Sequence, residues 1–225
     1  MKIAALFSGA KDSTFAIYKV MQMSHEVKCL VSLISENPES YMFHHPNIEW
    51  TGMQARAMGI PIVTKKTAGE KEKELKDLEA VLREIKPDIE GIVSGALASQ
   101  YQKSRIDNIC QKLGLKSLAP LWGTDPEKHW DEILEAGFEI IVTAVACGGL
   151  GKEWLGRRIN REALLGLKNL SEKHGFNLAG EGGEFETFVL SGPIFKKKLK
   201  ILKAERVWEG DSGSYLIKKL GLVGK

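Results

Sequence analysis

Residues 2–21 constrain this chain more than any other stretch. Lys2-Ile3-Ala4-Ala5-Leu6-Phe7 is a short apolar run that reads as a buried strand. Phe15-Ala16-Ile17-Tyr18-Lys19-Val20-Met21 reads as a helix. Between them lies Ser8-Gly9-Ala10-Lys11-Asp12-Ser13-Thr14. A strand, a turn of small residues and a helix aim free backbone N–H groups at an anion. The hydroxyls and amides of this turn can cradle phosphate oxygens, and Lys11 can neutralise them. Asp12 repels phosphate and suits a magnesium ion riding on it. The plainer reading is an ordinary strand–turn–helix capped by Ser13.

Further along, the strand–helix alternation continues. Glu26–Ser35 reads as a second strand, Asn47–Gly59 as a helix and Ile60–Val63 as a third strand. Gly69–Ile85 is a charged helix with a solvated face. Asp88–Ser94 is a fourth strand, left through Gly95-Ala96-Leu97-Ala98-Ser99. Ile106, Ile109, Cys110 and Leu113 repeat at helical spacing, and Ser117–Pro120 is a fifth strand. This alternation predicts an α/β fold with a parallel five-stranded sheet and helices on both faces. Right-handed crossovers then gather the loops at the strand C-termini along one ligand-binding edge. After Leu121-Trp122-Gly123-Thr124 the pattern changes. Pro126–Ala136 and Asn160–His174 read as helices, Phe138–Cys147 as a long strand, and strands dominate the rest. We therefore expect a nucleotide-binding domain over 1–121 and a smaller α+β domain over 122–225.

Bulk properties narrow the class. At 225 residues, 43% of them hydrophobic, the chain can bury a core. A net charge of +3, spread along the chain, does not point to direct nucleic-acid binding. Cys29, Cys110 and Cys147 are far apart, which argues against a disulfide framework or a zinc site. The chain opens on a strand rather than a signal peptide and holds no apolar run long enough to span a membrane. The expectation is a soluble cytoplasmic protein.

Glu181-Gly182-Gly183-Glu184-Phe185-Glu186-Thr187-Phe188 is the second strong signal. Three carboxylates crowd a double glycine. On a strand, Glu184 and Glu186 share one face while Phe185 and Thr187 share the other. Paired acids beside such a turn suit a metal, an ammonium ion or a cationic substrate. A polar hairpin rim is the plain alternative.

The first loop is not a Walker A sequence, since only one glycine precedes Lys11. It resembles the S-G-G-x-D-S loop of the N-type ATP pyrophosphatases (the PP-loop superfamily), which implies a Rossmann-like sheet of the adenine nucleotide alpha hydrolase type. The second glycine of that loop stands here as Ala10, which a backbone at positive φ would strain, though the expectation is that the methyl is tolerated. With E-G-G-E-F-E-T at residues 181–187, the whole chain resembles the diphthine–ammonia ligase family. Gly95 to Arg105 and Trp154-Leu155-Gly156-Arg157 belong to the same likeness.

The resemblance implies an amide ligase using ATP and Mg2+. Such an enzyme adenylates the carboxylate of diphthine, a modified histidine on translation elongation factor 2. Ammonia, supplied as ammonium, then displaces AMP to give diphthamide. It also implies roles. Ser8, Gly9, Ala10, Lys11, Asp12 and Ser13 would hold the phosphates, with Asp12 on magnesium. Ser32, Ser35, His44 and Gln54 would border the adenosine. Gly95, Ser99, Gln102 and Arg105 would face the same cleft, Arg105 clamping phosphate or carboxylate. Arg157, Glu181, Gly182, Gly183, Glu184, Glu186 and Thr187 would approach from the second domain. Trp154 or an acidic side chain would receive the trimethylammonium group, and Glu184 or Glu186 would bind and deprotonate ammonium.

Plainer readings stand beside these. His44-His45 before Pro46 reads as a turn, Trp154 as core, Arg105 as a surface ion pair, Cys147 as a packed thiol. Lys196-Lys197-Lys198 reads as a solvated face. Two other functions compete: a tRNA-modifying relative with thiolase-type chemistry, which needs reactive cysteines, and a protein that binds ATP without chemistry. Exposed apolar strands in the second domain would allow a homodimer.

Overall fold

The structure, a computed structural model, describes residues 1–37, 46–70 and 72–225. The first half runs β1 (Lys2–Leu6), α1 (Lys11–Gln22), β2 (Glu26–Ser35), α2 (Thr51–Met58) and β3 (Ile62–Thr67). It continues through α3 (Lys73–Ile85), β4 (Gly91–Val93), α4 (Gln100–Leu113) and β5 (Lys116–Leu118). These strands form a parallel sheet in the order β3-β2-β1-β4-β5. The order reverses at β1. The switch between β1 and β4, at the strand C-terminal ends, is where such sheets bind ligands.

The second half holds α5 (Pro126–Glu135), β6 (Glu139–Val145), α6 (Arg161–His174), β7 (Phe185–Ser191), β8 (Lys198–Glu209) and β9 (Ser212–Val223). Its antiparallel sheet has the order β7-β6-β9-β8. The strand–helix alternation thus folds as the sequence predicts, with local differences. The charged helix begins at Lys73, because Gly69 takes a left-handed φ of 72° and turns the chain first. The fourth strand shrinks to three residues, because Lys86-Pro87-Asp88 closes into a 3-10 turn before it.

A single hydrophobic core runs through both sheets. Ile3, Phe15 and Ile17 from the first half pack in one cluster with Ile141, Val189 and Ile217 from the second. A smaller cluster on the other face of the parallel sheet holds Leu78 and Leu82 of α3, Ile92, and Ile106 of α4. The second sheet thus covers the α1–α2 face, and α3 and α4 cover the other. Polar ties fix the arrangement. Asn47 donates to Tyr215 O at 3.0 Å and accepts from Ile217 N at 2.7 Å, while Trp50 Nε1 donates to Ile217 O at 2.9 Å. Among the described residues no helix is long and apolar enough to cross a membrane.

Candidate active site

The loop between β1 and α1 begins with Gly9 at φ 80°. Glycine is required there twice over: by the backbone angle, and by room, since a Cβ would lie 2.2 Å from Gln54 Oε1. Ala10 has φ −77° and ψ 171°, extended backbone that any residue adopts. Alanine at this position is therefore unstrained, and the left-handed residue of the loop is Gly9. Ala10 also occupies the N-cap of α1, and no side chain caps the helix. Ser13 instead turns its hydroxyl to Ser8 Oγ at 3.1 Å and donates to Ala10 O at 3.2 Å. Neither Ala10 nor Ser13 therefore supplies a local side-chain cap to the α1 N-terminus.

The acidic motif meets this loop directly. β7 is an edge strand, and its spare edge is paired by the loop: Val189 N donates to Gly9 O at 3.1 Å. Lys11 N donates to Thr187 Oγ1 at 3.1 Å. Gln54 Nε2 donates to both Gly9 O (2.9 Å) and Val189 O (2.8 Å). Gln54 is fully buried, so it acts as a bolt between loop and strand and offers no wall to an adenosine. Ser32 is likewise buried, its hydroxyl donating to Phe7 O at 2.5 Å. Ser35 accepts from Asn37 N at 3.1 Å within the loop after β2. His44 lies outside the described residues.

Lys11 does not point into open solvent. It is only 4% exposed, and its Nζ donates to Ala179 O at 2.5 Å and to Asp12 Oδ2 at 2.6 Å. The other Asp12 oxygen lies 2.6 Å from His129 Nε2. Burial alone would raise the Asp12 carboxyl. The Lys11 charge and the His129 hydrogen bond outweigh it and hold the group below its ordinary value. Asp12 is therefore an ionised carboxylate in the first turn of α1, 20% exposed.

Two more segments close around this point. Gly95, just past β4, packs against the α1 N-terminus so tightly that a Cβ would lie 2.6 Å from Ser13 N. Beyond it, Ala98 N and Ser99 N donate to Glu181 Oε2 at 3.0 and 3.2 Å. Ser99 also caps α4, accepting from Gln102 N at 3.4 Å. Glu181 thus joins the acidic motif to the first sheet. Glu184 closes its own turn, accepting from Asn177 N (3.1 Å) and Gly182 N (2.8 Å), with Gly182 and Gly183 exposed at its tip. Glu186 sits half-buried on β7 opposite Ala144. Phe185 and Thr187 face inward, as the alternation predicts.

Other residues expected at the site lie apart from this cluster. Arg105 stacks on Tyr101 and pairs with Glu72 at 2.9 Å, which is the surface ion pair of the plainer reading. Trp154 is 2% exposed, and the Arg157 guanidinium lies 4.5 Å from its ring centroid. A buried ring already covered by Arg157 is core rather than an open cage. Burial raises the thiols of Cys29 and Cys147 and pushes Cys110 to about 11, so none is a ready nucleophile. His129 and Trp130 were not singled out by the sequence. They sit on the inner face of α5 with Ile133, which at sequence level reads only as an amphipathic stripe.

The likeness to known proteins follows the same two halves. The family model of the diphthamide synthase N-terminal domain matches residues 1–117, and that of the diphthamide synthase C-terminal domain matches residues 125–223. The chain belongs to the diphthamide synthase family. Within this family it is 33% identical over 231 residues to the diphthine–ammonia ligase of Danio rerio, covering 94% of this chain and 90% of that one. The human diphthine–ammonia ligase is 32% identical, with 92% and 85% covered. For the diphthine–ammonia ligase of Schizosaccharomyces pombe, at 33% identity, 95% of this chain spans 38% of the relative. Among solved structures, a predicted subunit of tRNA methyltransferase from Methanocaldococcus jannaschii superposes with a TM-score of 0.47 at 14% identity, covering 86% of this chain and 98% of that one.

Proposed function

We propose that this diphthamide synthase family member is an ATP-dependent amide ligase. It adenylates the diphthine carboxylate of translation elongation factor 2, releasing pyrophosphate, and ammonia then displaces AMP. The observation that carries this reading is the direct bonding of the phosphate loop to the acidic motif, Lys11 N to Thr187 and Gly9 O to Val189 N. A carboxylate is a poor electrophile, and its mixed anhydride with AMP has a good leaving group. In the second step the ammonia nitrogen bonds to the acyl carbon, the bond to AMP oxygen breaks, and nitrogen gives up a proton.

The chain's own groups suit these steps. The α1 N-terminus, which has no cap from Ala10, and the Ser8 and Ser13 hydroxyls stabilise phosphate charge. Gly95 lets the β4 loop press against that terminus. Asp12 fits magnesium, because its carboxylate is held ionised and magnesium needs few protein ligands beside phosphates and water. Magnesium, when bound, would neutralise charge on the phosphates. His129 holds the Asp12 carboxylate in place, and Lys11 pairs with it while no nucleotide is bound. Glu181 braces the acidic turn against α4.

The test supplies purified protein with diphthine-bearing elongation factor 2, ATP, magnesium and ammonium. The proposal expects AMP and pyrophosphate in proportion to amide formed. Release of ADP, or intact ATP, would remove it. Reactive-cysteine chemistry is disfavoured by the three raised thiols.

A further inference from the structure

The Lys11 ammonium occupies a box built for a cation. Its Nζ lies 5.5 Å from the Trp130 ring centroid and 5.8 Å from that of Phe185. The two rings stack with centroids 6.4 Å apart. Ala179 O and Asp12 Oδ2 supply acceptors at 2.5 and 2.6 Å. These walls hold themselves without Lys11. Trp130 Nε1 donates to Leu178 O at 2.9 Å, Ala179 N donates to Asn177 Oδ1 at 2.8 Å, and His129 holds Asp12. The box lies where the phosphate loop meets the acidic motif, with Phe185 two residues before Thr187, the acceptor of the Lys11 N–H. A lysine ammonium is a compact point charge on a flexible stem, able to leave such a place for a stronger anion.

We propose that this box is the ammonium site of the enzyme. Lys11 is its resident until nucleotide phosphates draw the lysine into the loop. The inference rests on the ligase reading and adds to it where the nitrogen donor waits and when it enters. The box selects its ligand by chemistry. Two aromatic faces attract any small cation, and the carbonyl and carboxylate favour one that brings N–H donors to them. A buried acceptor left unpaired is costly, so a quaternary trimethylammonium group is excluded. Binding is ordered, with ATP before ammonium.

The experiment is steady-state AMP release against ammonium concentration at constant ionic strength, with diphthine-bearing elongation factor 2. Phe185→Leu removes one ring face and keeps apolar bulk. We expect its KM for ammonium to rise about five- to ten-fold, with a much smaller change in kcat at saturating ammonium. Phe185→Tyr restores the ring and should restore KM. On the unsubstituted protein, methylammonium should compete with ammonium, and tetramethylammonium should not. An unchanged ammonium KM in a folded Phe185→Leu protein overturns the site, and so does equal competition by tetramethylammonium. The ligase reading is checked separately, by ATP–pyrophosphate exchange without ammonium. Exchange present with the cation results contrary sinks the box alone, whereas exchange absent sinks the ligase and the box together.

Discussion

Asp12 and His129 are 117 positions apart, yet they share a 2.6 Å hydrogen bond. Nothing in their local sequence announces it, because the pairing exists only once α5 lies across α1. The expected acid behaviour follows from the Asp12 environment. Its folded carboxyl sits below the ordinary value of about 3.9, so it contributes stability at and above that pH. That contribution is lost as the pH falls through its lower folded value. Asp12→Asn should therefore flatten the acid limb of stability in denaturant titrations run across pH, and should abolish ATP–pyrophosphate exchange. A wild-type acid limb with retained exchange would remove Asp12 from both roles. His129→Ala leaves a buried carboxylate oxygen unpaired. It should cost roughly 2–3 kcal/mol and weaken magnesium–ATP binding, measured by calorimetry. Ala10 is tolerated in place of glycine, as expected, because φ at that position is −77°.

Among elements, the edge of β7 matters most. A strand edge normally stays open to another chain, and here Gly9 and Gln54 close it. Gln54→Leu keeps the volume but leaves the Gly9 and Val189 carbonyls short of a donor. We expect a loss of about 2 kcal/mol together with weaker ATP binding; a loss of stability alone would show that the bolt does not shape the loop. At α4, Ser99 is the N-cap, and Ser99→Ala should cost about 1 kcal/mol by thermal or chemical melting. Strands and helices were legible in the sequence because their periodicity is local. Glu26–Ser35 folds with those very bounds. The interior bonds of the site were not, since Gln54 to Val189 and Lys11 to Ala179 join residues 135 and 168 positions apart. The resemblance placed Gln54 beside the adenosine, whereas burial makes it a brace.

For the whole molecule, the main core crosses the boundary proposed between residues 121 and 122. Phe15 packs edge-on to Phe138, with centroids 5.7 Å apart, and Lys19 pairs with Glu132 at 2.9 Å. The two halves should unfold together. A fragment of residues 1–121 would expose Phe7, Phe15 and Ile17, and should show no cooperative melt of its own. The pattern change near Trp122 marks where sheet type switches, and the shared core shows that this is not where packing ends. The same joint bonds residues 8–13 to residues 181–187, and on that contact the ligase reading depends. Hydrogen exchange with a non-hydrolysable ATP analogue tests that directly. Amide exchange should slow together in residues 8–13 and in residues 181–187. Protection confined to the loop, with the acidic motif exchanging as before, would contradict a single shared site.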